Sequence, residues 1–149
     1  MTAPAITWTA STAEHPARAA SQRSMEAVAR KAKDEWLALF APDAVVEDPV
    51  GPSPLDPEGA GHHGSDGIAA FWEATVAGVE RFEFVIKDSF AAGDEVANVG
   101  TITAFLPGNM RIDTEGVFIY RVDSTGLIWS MRAYWEFDRA LATLRKVEG

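Results

Sequence analysis

Asp48 is the residue of this chain whose setting most resembles a chemical site. It closes the run Val45-Val46-Glu47-Asp48-Pro49-Val50-Gly51-Pro52, a short apolar strand that ends in an acid and is followed by proline. Proline restricts the residue before it to extended backbone, so the Asp48 side chain has a set direction. A carboxylate fixed at the mouth of an apolar layer is suited to shuttling a proton between carbons. The bland alternative is a turn-capping acid, since Asp-Pro is a common turn opener. Little else offers chemistry. His62 and His63 are adjacent, so their side chains point apart, and no acid accompanies them at a metal-ligand spacing. A structural or surface role is expected for the pair, with closure of His62 over a pocket mouth as the second reading. His15 carries no signal. There is no cysteine, which excludes disulfides, thiolate metal sites and cysteine nucleophiles. No serine or histidine triad is recognisable, and neither metal nor cofactor is expected.

The elements that must position Asp48 can be read from periodicity. Residues 1–12 are rich in Thr, Ala and Ser and are expected to form a mobile lead-in to a single domain over 13–149. A helix is expected over about 16–32, with a small-residue stripe of Ala17, Ala20, Ser24, Ala27 and Val28. A second, over 33–40, presents Trp36, Leu37 and Phe40 and is broken by Pro42-Asp43. A strand over 44–47 leads into a Gly/Pro-rich loop over 51–64. Ser65 is placed to cap a helix carrying Ile68, Phe71, Trp72, Thr75, Val76 and Val79 at helical spacing.

Three or four long strands follow. In the first, Phe82, Phe84, Ile86 and Phe90 alternate with polar residues; the second spans 96–106. In the third, Ile112, Phe118, Tyr120 and Val122 share one face, while Arg111, Asp113 and Glu115 form a solvated or dimer-facing row on the other. In the last, Leu127, Trp129, Met131, Ala133, Trp135 and Phe137 are phased inward, against Ser130, Arg132, Tyr134 and Glu136. Turns at 92–94, 107–109 and 124–126 suit hairpins. A short helix is expected over 138–146. Helices followed by consecutive hairpin strands imply an α+β architecture, a curved antiparallel sheet wrapped around the helices.

Composition narrows the partners. At 149 residues the chain fits one core-bearing domain. Five Trp and eight Phe are a heavy aromatic load for this size; the core is the expected place for most of them, and an excess can line an apolar ligand pocket. The net charge of −9 disfavours nucleic acid and anionic membranes. The N-terminal stretch resembles no secretory signal and no apolar run reaches spanning length, so a soluble, cytoplasmic protein is expected.

Three stretches carry a resemblance: Leu-Phe-Ala-Pro-Asp-Ala-Val-Val-Glu-Asp-Pro-Val-Gly at 39–51, His-Gly-x-x-x-Ile-Ala-Ala-Phe-Trp at 63–72, and Tyr-Arg-Val-Asp-x-x-Gly-Leu-Ile-x-x-Met-Arg-Ala-Tyr-Trp at 120–135. In order and spacing they resemble the ketosteroid isomerase branch of the nuclear-transport-factor-2-like (SnoaL-like) superfamily, and especially its actinobacterial isomerase-like proteins. The resemblance implies a cone-shaped α+β fold with a deep apolar pocket, usually a homodimer through the sheet. It places Asp48 at the family's general base and Trp135 where an indole N–H holds that carboxylate. It also implies a departure. Ser24 falls at the family's oxyanion-hole tyrosine and Phe118 at its protonated aspartate, while Phe40 and Trp72 replace two supporting tyrosines. Tyr120, two residues from Phe118 on the same face, is the only tyrosine placed for donation, with core packing as the bland alternative. The superfamily's Asp-Arg-Asp and His-Asp sites are not assembled, because Arg132 is phased outward.

The expectation is a steroid delta-isomerase-like protein with Asp48 as proton shuttle. Its ligand-binding residues are Ser24, Phe40, Trp72, Phe118, Tyr120, Met131 and Trp135, and its ligand is a bulky apolar ketone. The alternative is a steroid-binding protein without turnover, because both oxyanion donors are replaced; a protein-interaction domain ranks third.

Overall fold

The computed structural model describes residues 4–147. Its elements run β1 (Ile6–Trp8), α1 (Pro16–Ala29), α2 (Lys33–Leu37), β2 (Phe40–Glu47), β3 (His62–His63), α3 (Gly64–Thr75), β4 (Arg81–Ala92), β5 (Glu95–Leu106), β6 (Met110–Val122), β7 (Ile128–Tyr134), α4 (Phe137–Leu141) and β8 (Arg145–Lys146). The architecture is α+β, as the order of helices and hairpins implies. One curved, unclosed sheet has the order β1-β4-β5-β6-β7-β2-β3, with β8 added to β6.

The three hairpins β4–β5, β5–β6 and β6–β7 are antiparallel, and β2 joins β7 in parallel. Alternation sets the inner face. Phe84, Ile86, Phe118, Tyr120 and Met131 are buried, whereas Val85 and Tyr134 are exposed. No helix among the described residues is long and apolar enough to cross a membrane.

Several expectations are corrected. The lead-in is docked from Ile6 to Trp8, which pair in parallel with Phe84–Ile86 of β4; residues 1–3 of that stretch lie outside the described residues. The second helix ends at Leu37, and Phe40 already pairs with Ile128. Pro42 therefore breaks no helix. It sits where the β2–β7 register shifts between Phe40 and Val45, an irregularity that tolerates a residue without an N–H. Ser65 is not the cap of α3, because β3 runs straight into the helix and His63 takes that position.

The inward phasing of β7 fails at one end. A register shift between Arg121 and Val122 pairs Val122 with Ile128, which is fully buried. Trp129 instead carries the Arg121 guanidinium 4.4 Å from its ring. The final helix stops at Leu141, and Arg145–Lys146 pair with β6. The acidic row on β6 is outward but tied down: Asp113 accepts from Thr103 Oγ1 at 2.7 Å and faces Arg145 at 3.0 Å.

α1 is held against the sheet by a buried polar network. Arg18, 6 % exposed, donates to Ser89 Oγ and to the Ser89 carbonyl, each at 3.0 Å, and to the Ala13 carbonyl at 2.7 Å. Ser89 donates to Asn98 Oδ1, and Asn98 Nδ2 donates to Ser21 Oγ. A buried guanidinium without hydrogen bonds would be strongly destabilising, so this network sets the seat of α1 on β4 and β5. At the start of α1, His15 Nδ1 accepts the Ala17 N–H as an N-cap. The helix face turned inward consists of Ala17, Ala20, Ser21, Ser24, Met25 and Ala27. Such small side chains allow close approach to the sheet and leave volume unfilled beneath it.

Candidate functional site

That unfilled volume is a cavity of about 310 Å³ between α1, α3 and the concave face of the sheet. It falls at the lower end of the range for small-molecule sites. Of the residues expected there, Asp48, Ser24, Phe40, Phe118, Tyr120, Met131 and Trp135 all line it. Trp72 does not. It packs behind Trp36, ring centroids 5.2 Å apart, and Phe71, one position earlier, reaches the wall. A broader depression of about 710 Å³ beside the start of α1 is lined by residues 12–16, 18, 19 and 22, and its acid, Glu14, is exposed to water.

Asp48 reaches the cavity because β2 ends at Glu47 and the chain turns over the end of β7. There the Val50 N–H donates to the Ala133 carbonyl at 2.9 Å. The Asp48–Pro49 peptide bond is cis. The Trp135 Nε1–H donates to Asp48 Oδ1 at 2.6 Å, a short, charge-assisted bond. Gly116 makes that approach possible. A Cβ there would lie 3.0 Å from the Trp135 Cβ and closer still to the Tyr134 carbonyl oxygen. The absence of a side chain lets the end of β7 press down on β6.

Among the described residues, Asp48 is the one carboxylic acid on the cavity wall, and no Lys, Arg or His accompanies it there. Part of its surface remains accessible, but that surface belongs to an apolar hollow and not to bulk solvent. Desolvation therefore dominates and raises its pKa from 3.8 to about 6, with the Trp135 hydrogen bond opposing the rise. Neighbouring Glu47 faces outward, accepting from Arg132 Nε at 2.7 Å. The outward phasing of Arg132 is thus as expected.

Tyr120 is buried in the same cavity. Its phenol pKa is pushed up to about 12, chiefly by burial; the nearby Ser24 hydroxyl opposes the rise and the charge of Asp48 adds to it. Ser24 is also buried and accepts the Trp36 Nε1–H at 3.0 Å. Sequence reasoning placed Trp36 only on a helix face. The signal available was that a buried indole N–H needs a partner, but nothing in the spacing named Ser24, which lies twelve residues earlier.

The histidine pair stays outside. His62 lies 4.9 Å from Phe71, ring to ring, with Nε2 buried and unpartnered, and it does not line the cavity. His63 Nε2 lies 2.7 Å from the Ala60 carbonyl. No cluster of metal-ligating side chains occurs among the described residues.

Comparison with known proteins agrees with the fold. Residues 21–131 match the model of the SnoaL-like domain. The Steroid Delta-isomerase of Nocardioides simplex is 30% identical over 118 residues, covering 79% of this chain and 88% of that protein. The Delta 5-3-Ketosteroid Isomerase from Mycobacterium sp. superposes with a TM-score of 0.80 at 34% identity, covering 89% of this chain and 98% of the other. RV0760c from Mycobacterium tuberculosis, solved in complex with estradiol-17beta-hemisuccinate, has a TM-score of 0.79 at 34% identity, covering 89% and 99%. With its α+β fold, its apolar hollow and the match over 21–131, this chain belongs to the SnoaL-like domain family and is a ketosteroid isomerase-like member of it.

Proposed function

We propose that the protein is a steroid delta-isomerase-like enzyme acting on a bulky apolar ketone, with Asp48 as the proton shuttle. The observation that carries this reading is a desolvated carboxyl, held by Trp135 at 2.6 Å, at the wall of a predominantly apolar cavity that carries no cation. With a pKa of about 6, Asp48 is ionised at neutral pH yet basic enough to accept a proton from carbon.

In the reaction, Asp48 removes a proton from the carbon between a ketone and an isolated double bond. The electron pair moves onto the carbonyl oxygen to give a dienolate. The same proton is returned to the far end of the alkene, leaving the double bond conjugated with the ketone. Atoms and charge balance without a cofactor. Phe40, Phe71, Phe118 and Met131 supply the apolar walls.

The test is a Δ5-3-ketosteroid incubated with the protein while conjugated enone absorbance is followed. Turnover above buffer, lost in Asp48→Asn, supports the assignment. A rate equal to buffer, or an unchanged rate in Asp48→Asn, refutes it.

Binding without turnover is the second reading, favoured by one observation: Ser24 and Phe118 occupy the positions where the resemblance expects two oxyanion donors. It predicts micromolar steroid affinity with no isomerisation. Self-association through the outer sheet face belongs to the main reading, supported by Val85, Phe90 and Tyr134, which are 40%, 65% and 44% exposed. Sedimentation showing a monomer at micromolar concentration would remove it.

A further inference from the structure

Outside Asp48 and its indole partner, the polar groups of the cavity wall are few. Thr75 is occupied, its hydroxyl donating to the Phe71 carbonyl at 2.7 Å. Ser24 and Tyr120 are different, because both are buried side chains facing the same hollow. Ser24 Oγ accepts the Trp36 N–H at 3.0 Å. An indole nitrogen can only donate, whereas a hydroxyl accepts and also donates one proton. The Trp36 bond therefore fixes the Ser24 oxygen and leaves its proton to be given onward. Trp36 is itself clamped, its ring 4.7 Å from Phe40 and 5.2 Å from Trp72.

The geometry points to a donor relay in which Trp36 fixes Ser24, Ser24 donates to the phenol oxygen of Tyr120, and Tyr120 presents its proton to the ligand's carbonyl oxygen in the cavity that holds Asp48. Each donated bond polarises the next, so the terminal phenol is a stronger donor than an isolated tyrosine. Tyr120 is then the residue that touches the ligand, and Ser24 and Trp36 are positioning residues. The serine at the position where the resemblance expects a tyrosine is not a weak substitute for it but a feeder for a phenol on a different strand. The ligand class is a ketone whose carbonyl oxygen enters first, toward α1 and β6. The relay rests on the steroid-ketone reading above for its ligand, but not on turnover.

Testosterone and its analogue lacking the 3-oxo group serve as probes, with affinities from equilibrium dialysis and the carbonyl stretch of bound testosterone from difference infrared spectroscopy. The wild-type chain is expected to prefer the 3-oxo steroid by about fivefold, the effect of one net hydrogen bond, with the stretch lowered relative to an apolar solvent. Tyr120→Phe is expected to abolish both the preference and the lowering. Ser24→Ala and Trp36→Phe should each reduce the preference about twofold and return the stretch part of the way, through the loss of polarisation alone. A purely structural role for Trp36 would alter both affinities together and leave the stretch in place.

An unchanged preference and stretch in Tyr120→Phe overturns the relay, even if Asp48→Asn still abolishes isomerisation. The expected stretch pattern with no isomerisation upholds the relay and removes the enzymatic reading. Failure of both steroids to bind overturns both.

Discussion

Trp135→Phe isolates what the indole N–H does for Asp48 while keeping an aromatic ring against Phe137, whose centroid lies 6.2 Å away. In the wild-type chain the N–H donates to Asp48 Oδ1 at 2.6 Å and opposes the rise in pKa that desolvation causes. A hydrogen bond to a charged group is worth about 1.5–3 kcal/mol. At 1.36 kcal/mol per pH unit, its loss raises the carboxyl by about one to two units. Because Asp48 acts as a base only when ionised, kcat/KM should fall on the acid side of its pKa. That limb is expected near about 6 in the wild type and about one to two units higher in Trp135→Phe. The measurement is kcat/KM for a Δ5-3-ketosteroid against pH, read from enone absorbance. The alkaline plateau should also drop, because the carboxylate loses its orientation. A limb that stays in place or moves toward acid would refute the claim that Trp135 stabilises an otherwise desolvated anion.

Three further outcomes are expected. The charged form of Asp48 is disfavoured in the folded chain, its pKa rising from 3.8 to about 6. The folded chain therefore holds its proton more tightly than the unfolded chain, and stability falls as pH rises through that window. Asp48→Asn should accordingly raise the unfolding midpoint at pH values above the window, by an amount equivalent to about 2–3 kcal/mol, and change it little below about pH 4; calorimetry showing a pH-independent difference would contradict this. Met131→Trp should occupy part of the 310 Å³ hollow and weaken steroid binding at least tenfold, at a stability cost of about 1–3 kcal/mol, as read by dialysis and thermal melts. Gly116→Ala should drive Trp135 from its seat, so that the acid limb of the rate profile moves as in Trp135→Phe; a stable variant with an unmoved limb would show that β7 can shift without disturbing Asp48.

Much of this site was legible in the sequence because strands announce their faces. The alternation through β6 puts Phe118 and Tyr120 on one side, and that through β7 does the same for Met131 and Trp135. Asp48 was legible because a strand ending in Asp-Pro leaves its acid at a defined edge. Where an element departs from regularity the pattern misleads. The register shift beside Val122 buried Ile128 and left Trp129 half-buried at the edge of the core, since one extra residue reverses a period of two. Pro42 was read as a helix breaker, because nothing local distinguishes that from a strand irregularity. Phe71 and Trp72 are adjacent on a helix, and only the seat of α3 decides which of them reaches the cavity. The network of Arg18, Ser89, Asn98 and Ser21 joins positions far apart in sequence and leaves no periodic trace.

The cavity's polar inventory bears on whether the protein turns its ligand over. A site that only stores a steroid has no use for a desolvated acid, since its charged form destabilises the fold by a substantial fraction of a domain's net stability. An asparagine at position 48 would offer a hydrogen bond at less cost. An acid at position 48 beside an N–H donor, with no cation on the wall, suits the proposed proton transfer better than storage. The donor side argues for a slower enzyme, not an inert one. Removing one oxyanion donor typically lowers kcat by about 10²–10³. A single phenol fed by Ser24 would leave a large part of that stabilisation in place, whereas a cavity with neither donor would not. The rate on a Δ5-3-ketosteroid should therefore fall well below that of a two-donor site yet remain clear of buffer. Tyr120→Phe should then remove a further factor of about 10²–10³ from kcat, against a rise in KM of only about fivefold from the lost ground-state hydrogen bond. A change confined to KM would mean that the phenol holds the ketone but does not stabilise the charge that develops on it.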